Sequence, residues 1–242
     1  MKKNGYLLIG GISALYVSII ILFAVTPIEN AFQFFIRLCA LLGLASMFIA
    51  TMLTPFAKTV YKAWEKSTIK IHHYFTIAGL ILITLHPVIF AIEKMIEVDF
   101  LTGIAVFLPD FSSWYKFWLL AGRPALIFIY IALLAALLRK KIVDWWRPIH
   151  IFNYIALVFG VVHGIMIGTD FENFQQPIEV PQLLISILFL LMTIVTAGTF
   201  VLKRIQQAKL RKRRKARKRK KEEEEENVET TVEERKQEIK EN

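Results

Sequence analysis

Five histidines are the residues in this sequence best suited to chemistry, and all five fall in two apolar stretches. HHYFTIAGLILITLHP carries His72, His73 and His86; HIFNYIALVFGVVHG carries His150 and His163. Imidazole is a metal ligand and a proton carrier. Ionisable or ligating groups inside hydrocarbon are costly and usually functional. On a helix, fourteen residues turn through about 1400°, roughly 40° short of four full turns. His72 and His86 therefore share nearly one face, about 21 Å apart along the axis. His73 and His86 are thirteen apart and stand about 140° out of register, so periodicity favours His72 over His73. His150 and His163 are also thirteen apart. A kink, a π-bulge or a different approach angle must absorb that spacing if both serve one purpose.

The elements that position these residues follow from composition. The 242-residue chain is 55% hydrophobic with a net charge of +10. A helix needs roughly 20 apolar residues to cross the hydrocarbon. Six runs qualify: Tyr6–Val25, Ala31–Leu53, Ile71–Ile92, Trp118–Leu138, His150–Gly168 and Pro181–Leu202. Such continuous runs exclude the alternating pattern of a membrane barrel. The expected fold is an all-α, six-transmembrane-helix bundle. The first run, behind Met1-Lys2-Lys3, reads as a retained helix because its apolar part exceeds a signal core and no A-x-A site follows.

Basic connections (the N-terminus, Lys58–Lys70, Arg139–Arg147 and the C-terminal tail) alternate with acidic ones (Thr26–Asn30, Glu93–Asp110 and Thr169–Glu179). The positive-inside rule then puts both termini in the cytoplasm of a multi-pass protein of the cell (plasma) membrane. The positive charge reflects topology and tail, so no nucleic-acid partner is expected. Cys39 is the only cysteine, which excludes a disulfide framework and a cysteine metal cluster.

The expected organisation is a first helix and outer turn over 1–30, a helical core over 31–202, and a charged cytosolic tail over 203–242, helical or disordered. The tail is Lys- and Arg-rich to Lys221, purely acidic over Glu222–Glu226 and mixed beyond. Such a segment cannot build a core. It reads as an anchor to anionic lipid. No GxGxxG, Walker, HExxH or nucleophile motif occurs.

In this topology the third and fifth spans run in the same direction. His72 (or His73) lies level with His150 at the inner end, and His86 level with His163 at the outer end. Two histidines at each of two depths make two stacked sites. One imidazole from each side of a flat macrocycle is the six-coordinate arrangement of an electron-carrying haem. The competing reading is a transition-metal transporter or channel without haem, because imidazole also suits Zn, Cu and Fe.

HHYFTIAGLILITLHP and WWRPIHIFNYIALVFGVVHG resemble the ferric-reductase-like transmembrane domain, over roughly Ala31–Leu202. That domain is shared by ferric reductases, NADPH oxidases and the haem subunit of methionine sulfoxide reductase systems. Its histidines stand fourteen apart in the third helix and thirteen apart in the fifth, behind an aromatic-basic cluster. The resemblance implies two b-type haems per chain and electron flow from cytoplasm to exterior. The inner haem would take His72 and His150, with His73 as the alternate, and the outer haem His86 and His163. The first histidine of the third helix, absent from the methionine sulfoxide reductase subunits, places the chain nearer the ferric reductases and oxidases. It would be an oxidoreductase component without its own FAD and NAD(P)H domain. FAD would come only through a separate partner; the donor would be a cytosolic flavoprotein or a quinol. The acceptor would be ferric iron, dioxygen or a partner protein.

Three arginines are expected to serve these sites. Arg37 and Arg123 lie near the outer ends of the second and fourth spans, within reach of an outer propionate or an anionic acceptor. Arg147, beside Trp145 and Trp146, lies next to His150 at the inner end. Tyr154 is expected only to pack. The half-apolar loop Glu93–Lys116 is expected to lie on the membrane surface or over the outer site as a lid.

Overall fold

The computed structural model describes residues 3–108, 110–171 and 179–241, and for residues 115, 118–121, 221 and 225–241 it describes the backbone alone. Every regular element among the described residues is a helix. In chain order these are α1 (Lys3–Ala24), α2 (Ala31–Leu53), α3 (Ala57–Trp64), α4 (Thr68–Glu97), α5 (Phe100–Ala105), α6 (Trp114–Leu137), α7 (Trp146–His150), α8 (Phe152–Ile167) and α9 (Val180–Glu241). Among the described residues five helices are long and apolar enough to cross a membrane: α1, α2, α4, the segment Trp146–Ile167, and α9 over Val180–Glu224. In α6 the stretch Gly122–Leu137 is apolar and shorter. The chain is an all-α, multi-pass membrane protein.

Lipid offers no hydrophobic drive between helices, so association depends on close packing and small residues. α2 is the central helix, buried at intervals from Ile36 to Leu53. Its partner α4 runs antiparallel and approaches most closely at two glycines. A Cβ on Gly79 would lie 3.1 Å from the Gly43 carbonyl oxygen, and one on Gly43 would lie 3.0 Å from the Ile83 amide nitrogen. The opposite face of α4 carries Tyr74, Ile77, Ile81, Leu85, Val88, Ile92 and Ile96, all exposed at three- and four-residue intervals. That is the stripe of a helix facing lipid.

One core cluster joins Ile19 and Phe23 of α1, Leu41 and Ala45 of α2, Val161 of α8, and Ile185 and Phe189 of α9. The first helix therefore packs with the rest of the core. α3 lies within the basic connection between α2 and α4, and buries Val60 against Ile49 and Leu53. It ends at Glu65, whose left-handed φ of 56° lets its N–H close on the Tyr61 carbonyl. Cys39 is buried and free.

Three elements depart from expectation. α4 extends past the apolar run to Glu97, so Glu93 and Lys94 belong to a helix and not to a loop. The remaining connection folds back: α5 is capped by the Asp99 side chain and packs Gly103 onto Ala91 and Met95 of α4. The fifth span breaks at Ile151, just after His150. There Ile151 bonds to the Pro148 carbonyl and Tyr154 to the Ile151 carbonyl, both three residues back. Such tight steps turn about 120° per residue instead of about 100°. They recover part of the rotation that a thirteen-residue spacing lacks.

The chain divides into two compact units, Met1–Ala197 and Gly198–Asn242. The composition changes a few residues later, after Leu202. Within the second unit the backbone is helical, and a Lys218–Glu222 ion pair of 3.2 Å spans the junction of the basic and acidic runs. Of the acidic connection Thr169–Glu179, residues 172–178 lie outside the described residues.

Candidate functional site

Four of the five histidines form two facing pairs. The rings of His72 (α4) and His150 (α7) have centroids 6.3 Å apart with planes at 76°. Those of His86 (α4) and His163 (α8) are 6.4 Å apart at 81°. His73 is exposed, and its ring lies 5.7 Å from that of His72. The two pairs sit about four helical turns apart along α4, at the separation that the fourteen-residue spacing sets.

Backbone carbonyls orient three of the rings. Nδ1 of His72 lies 2.8 Å from the Ala50 oxygen, and Nδ1 of His86 lies 3.0 Å from the Ile36 oxygen, both on α2. Nδ1 of His150 lies 3.0 Å from the Ala132 oxygen on α6. A ring nitrogen facing a carbonyl oxygen must be the one that carries the proton. Nε2 then keeps its lone pair, and this is how second-sphere carbonyls prepare an imidazole to bind a metal. The close approach at Gly43 and Gly79 brings α2 and α4 together between the Ala50 and Ile36 carbonyls. Thr76 Oγ1 is 3.5 Å from His72 Nε2, and the Asn153 amide is 3.4 Å from both His150 ring nitrogens. Neither is close enough to claim the nitrogen strongly.

His163 is placed by a different device. Its ring lies on Gly122 of α6, where a Cβ would meet Cε1 at 2.9 Å and Nδ1 at 3.0 Å. Only glycine leaves that space open. Below the ring, Gly164 takes the edge of Phe171, which stacks 5.5 Å from Phe189 of α9.

A cavity of about 670 Å³ reaches the His86–His163 pair. It runs from Glu29, Asn30 and Glu93 at one end to Asn153, the neighbour of His150, at the other. Its walls are mostly apolar, and Val106 and Phe107 from the connection after α5 form part of them. The segment expected as a lid thus contributes wall residues. Outside the membrane-spanning helices, Lys116 Nζ donates to Asp110 at 2.6 Å, and that bond holds the Asp110 carboxyl well below the usual carboxylate range.

The expected arginines meet different surroundings. Arg37 is buried and forms a forked ion pair with Asp170, Nε to Oδ2 at 3.0 Å and Nη2 to Oδ1 at 2.5 Å. It also donates to Thr26 Oγ1 and the Pro27 carbonyl, and its guanidinium lies over the Phe23 ring. Most of its donors are committed to protein groups. Arg123 lines the same cavity and donates through Nη2 to the Val106 carbonyl. Its Nη1 is buried with no partner among the described residues. Arg147 is exposed and stacks over Trp146, whose ring centroid is 6.3 Å from that of His150.

Two acidic residues of the site escape a reading of the sequence. Asp170 is the partner of Arg37, but eight acids (Glu29, Glu93, Glu97, Asp99, Asp110, Asp170, Glu172 and Glu179) stand in the connections at that end, and spacing alone does not choose among them. Glu93 is only 4% exposed and lines the cavity. Its signal is present: it follows His86 by seven residues, two turns, and so shares its face.

The donor set can be tested against a cofactor. A metal bound by two nitrogens on opposite sides at about 2 Å each would separate the ring centroids by roughly 6 Å. Both pairs meet that condition. No group of three or more His, Cys, Asp or Glu side chains is arranged to hold a metal among the described residues. Each pair thus fits a group that brings its own equatorial ligands, and the buried nitrogen of Arg123 fits an anionic substituent on it. Comparison with protein-family models, with curated proteins and with solved structures finds no match to this chain.

Proposed function

We propose that the chain is a transmembrane electron carrier of ferric-reductase-like type, holding two b-type haems at the His72–His150 and His86–His163 levels. The observation that carries this reading is the pairing itself. Two sets of imidazoles face each other across roughly 6 Å, and backbone carbonyls hold Nδ1 of three of the four rings. Haem bound at each level would supply a one-electron couple. The chain's own residues fix the orientation of the ligands and the separation of the two levels. Met47, Ile129 and Ala156 pack as a buried apolar cluster in the core.

In this reading α6 completes a bundle of six spans in the plasma membrane with both termini cytoplasmic, and the alternation of basic and acidic connections supports that orientation. Electrons enter at His72–His150 from a cytosolic flavoprotein or a quinol and leave at His86–His163 toward an acceptor on the other side. Trp146, between the exposed Arg147 and His150, lies on the entry side. Arg123 offers its unpartnered nitrogen to a propionate; Arg37 acts through Asp170 to hold the site's shape. The basic part of the tail binds anionic lipid. A histidine-based metal transporter is the less favoured reading. A closed zinc site needs about four donors, and each pair offers two.

The test is an absorption spectrum of the purified chain, oxidised and then dithionite-reduced, with haem counted per polypeptide. Two low-spin b haems per chain support the reading. A chain produced with ample haem that binds none overturns it.

A further inference from the structure

Glu93 is a buried carboxyl in the wall of the cavity that reaches His86 and His163, and nothing in the haem reading uses it. It lies two turns beyond His86 on the same face of α4, about 10 Å along the axis. Its Oε1 accepts from the Asn30 amide at 3.3 Å, and Lys94 Nζ stands 3.9 Å from Oε2. Lys94 is closer to Glu97, at 2.6 Å. Among the described residues the nearest donor to this carboxyl is therefore a neutral amide, and its cation is shared. Burial without a tight ion pair is costly for a carboxylate whose only task is structural. The surroundings also narrow the occupant. Phe90 and Phe107 give this end of the cavity flat apolar walls, while Asn30 and Glu93 supply a donor and a carboxyl. The other charged groups lining it are Glu29, Lys94, Glu97, Arg123 and the Arg37–Asp170 pair.

We propose that this end of the cavity binds a quinone as the electron acceptor, with Glu93 as its proton donor. The proposal rests on the electron-transfer reading above and names the acceptor of that same site. The balance is two electrons and two protons per quinone. The electrons would come one at a time by way of the group that His86 and His163 would hold. The quinone oxygen that faces Glu93 would form its O–H bond with the proton that leaves the carboxyl, and the other oxygen would take its proton from water at the cavity mouth. The Glu93 carboxylate then recovers a proton from water at the cavity mouth, and quinol departs. Asn30 orients the carboxyl through its amide. An acceptor such as ferricyanide takes an electron and no proton, so it needs no such group.

The test uses the full haem-loaded chain in detergent, reduced with stoichiometric dithionite and mixed with ubiquinone-1 or with ferricyanide while haem oxidation is followed optically. Glu93→Gln is expected to slow oxidation by ubiquinone-1 about 10-fold or more, the lower range of general-acid catalysis, and to alter its solvent deuterium effect. Oxidation by ferricyanide and the haem count should be unchanged, and Glu93→Asp should recover much of the quinone rate. On the wild-type chain, infrared difference spectra taken on adding ubiquinone-1 should show a shifted carboxyl C=O band. Normal ferricyanide oxidation with an unaltered quinone rate in Glu93→Gln overturns the quinone site and leaves the electron-transfer reading standing. If Glu93→Gln does not fold, the absence of any carboxyl band shift in the wild-type chain overturns the quinone site by itself. A chain without haem overturns both.

Discussion

Gly43 and Gly79 stand opposite each other where α2 and α4 cross, with the Gly43 carbonyl oxygen 3.1 Å from the place a Gly79 Cβ would take. The same antiparallel register sets Ala50 opposite His72 and Ile36 opposite His86, one on each side of the glycine contact. A single close approach thus serves both histidine levels. Enlarging it should disturb both together. Gly43→Leu would drive a side chain into the Ile83 backbone, and the helices must part to admit it. The expected outcome is loss of bound haem at both levels in parallel, seen as a proportional fall of both components in a redox titration. Selective loss of one component would mean that the two levels are held independently.

Gly122 offers the contrasting case. The three atoms nearest to a Cβ there all belong to the His163 ring, so a methyl group acts first on that level. Gly122→Ala should displace His163 from its position opposite His86, lowering occupancy or shifting the midpoint potential at that level. The His72–His150 level should keep its haem and its potential. An equal change at both levels would show that α6 moves as a body, and that the glycine matters for packing more than for the ligand.

Much of this arrangement was legible in the sequence because helix periodicity is rigid. The spacing of His72 and His86 selected His72 over His73, and the structure brings the His72 ring, rather than the exposed His73, against His150. The awkward spacing of His150 and His163 called for a kink, and one stands at Ile151, where the chain follows Pro148 and tight turns replace the regular ladder. The partners of the arginines were less legible. A buried guanidinium must find an anion, yet Asp170 lies 133 positions from Arg37, and no local rule links them. The carbonyls of Ala50, Ile36 and Ala132 left no trace at all, since backbone acceptors carry no residue code. Glu93 was misplaced because its charge ended the apolar run, while the helix continued past it to Glu97.

The ligand assignments predict a pattern across five variants. His86→Ala and His163→Ala should each remove haem from one level, and His150→Ala and His72→Ala from the other. If each pair holds a haem, loss of one imidazole would leave its iron with one protein bond, so each variant should lose about half of the total haem or convert it to a high-spin form. His73→Ala should leave both levels intact, because its ring is exposed and lies beside His72 rather than opposite His150. Haem counted per chain, together with the low-spin absorption bands, reads the pattern. Similar haem content in all five would remove the basis of the assignment. Loss in His73→Ala with retention in His72→Ala would exchange the two.

Arg37 and Asp170 make the last case, where removing either partner alone and removing both should have different effects. The pair is buried, forked and reinforced by Thr26 and the Pro27 carbonyl. Removing one partner of such a pair leaves the other as an uncompensated buried charge, at a typical cost of about 3–5 kcal/mol. Arg37→Met strands the Asp170 carboxylate, and Asp170→Leu strands the guanidinium. The double variant strands neither, and similar apolar replacements are often close to neutral. Each single variant should therefore lower the thermal midpoint in detergent sharply, and the double variant should recover most of the loss. Asp170 follows His163 by seven residues, and its neighbour Phe171 packs on Gly164. The single variants should thus also loosen the His86–His163 level before the His72–His150 level, with haem released from the former first on heating. Additive losses in the double variant would show that the two residues act separately. Simultaneous release from both levels would show that the pair supports the bundle as a whole and not this one end of it.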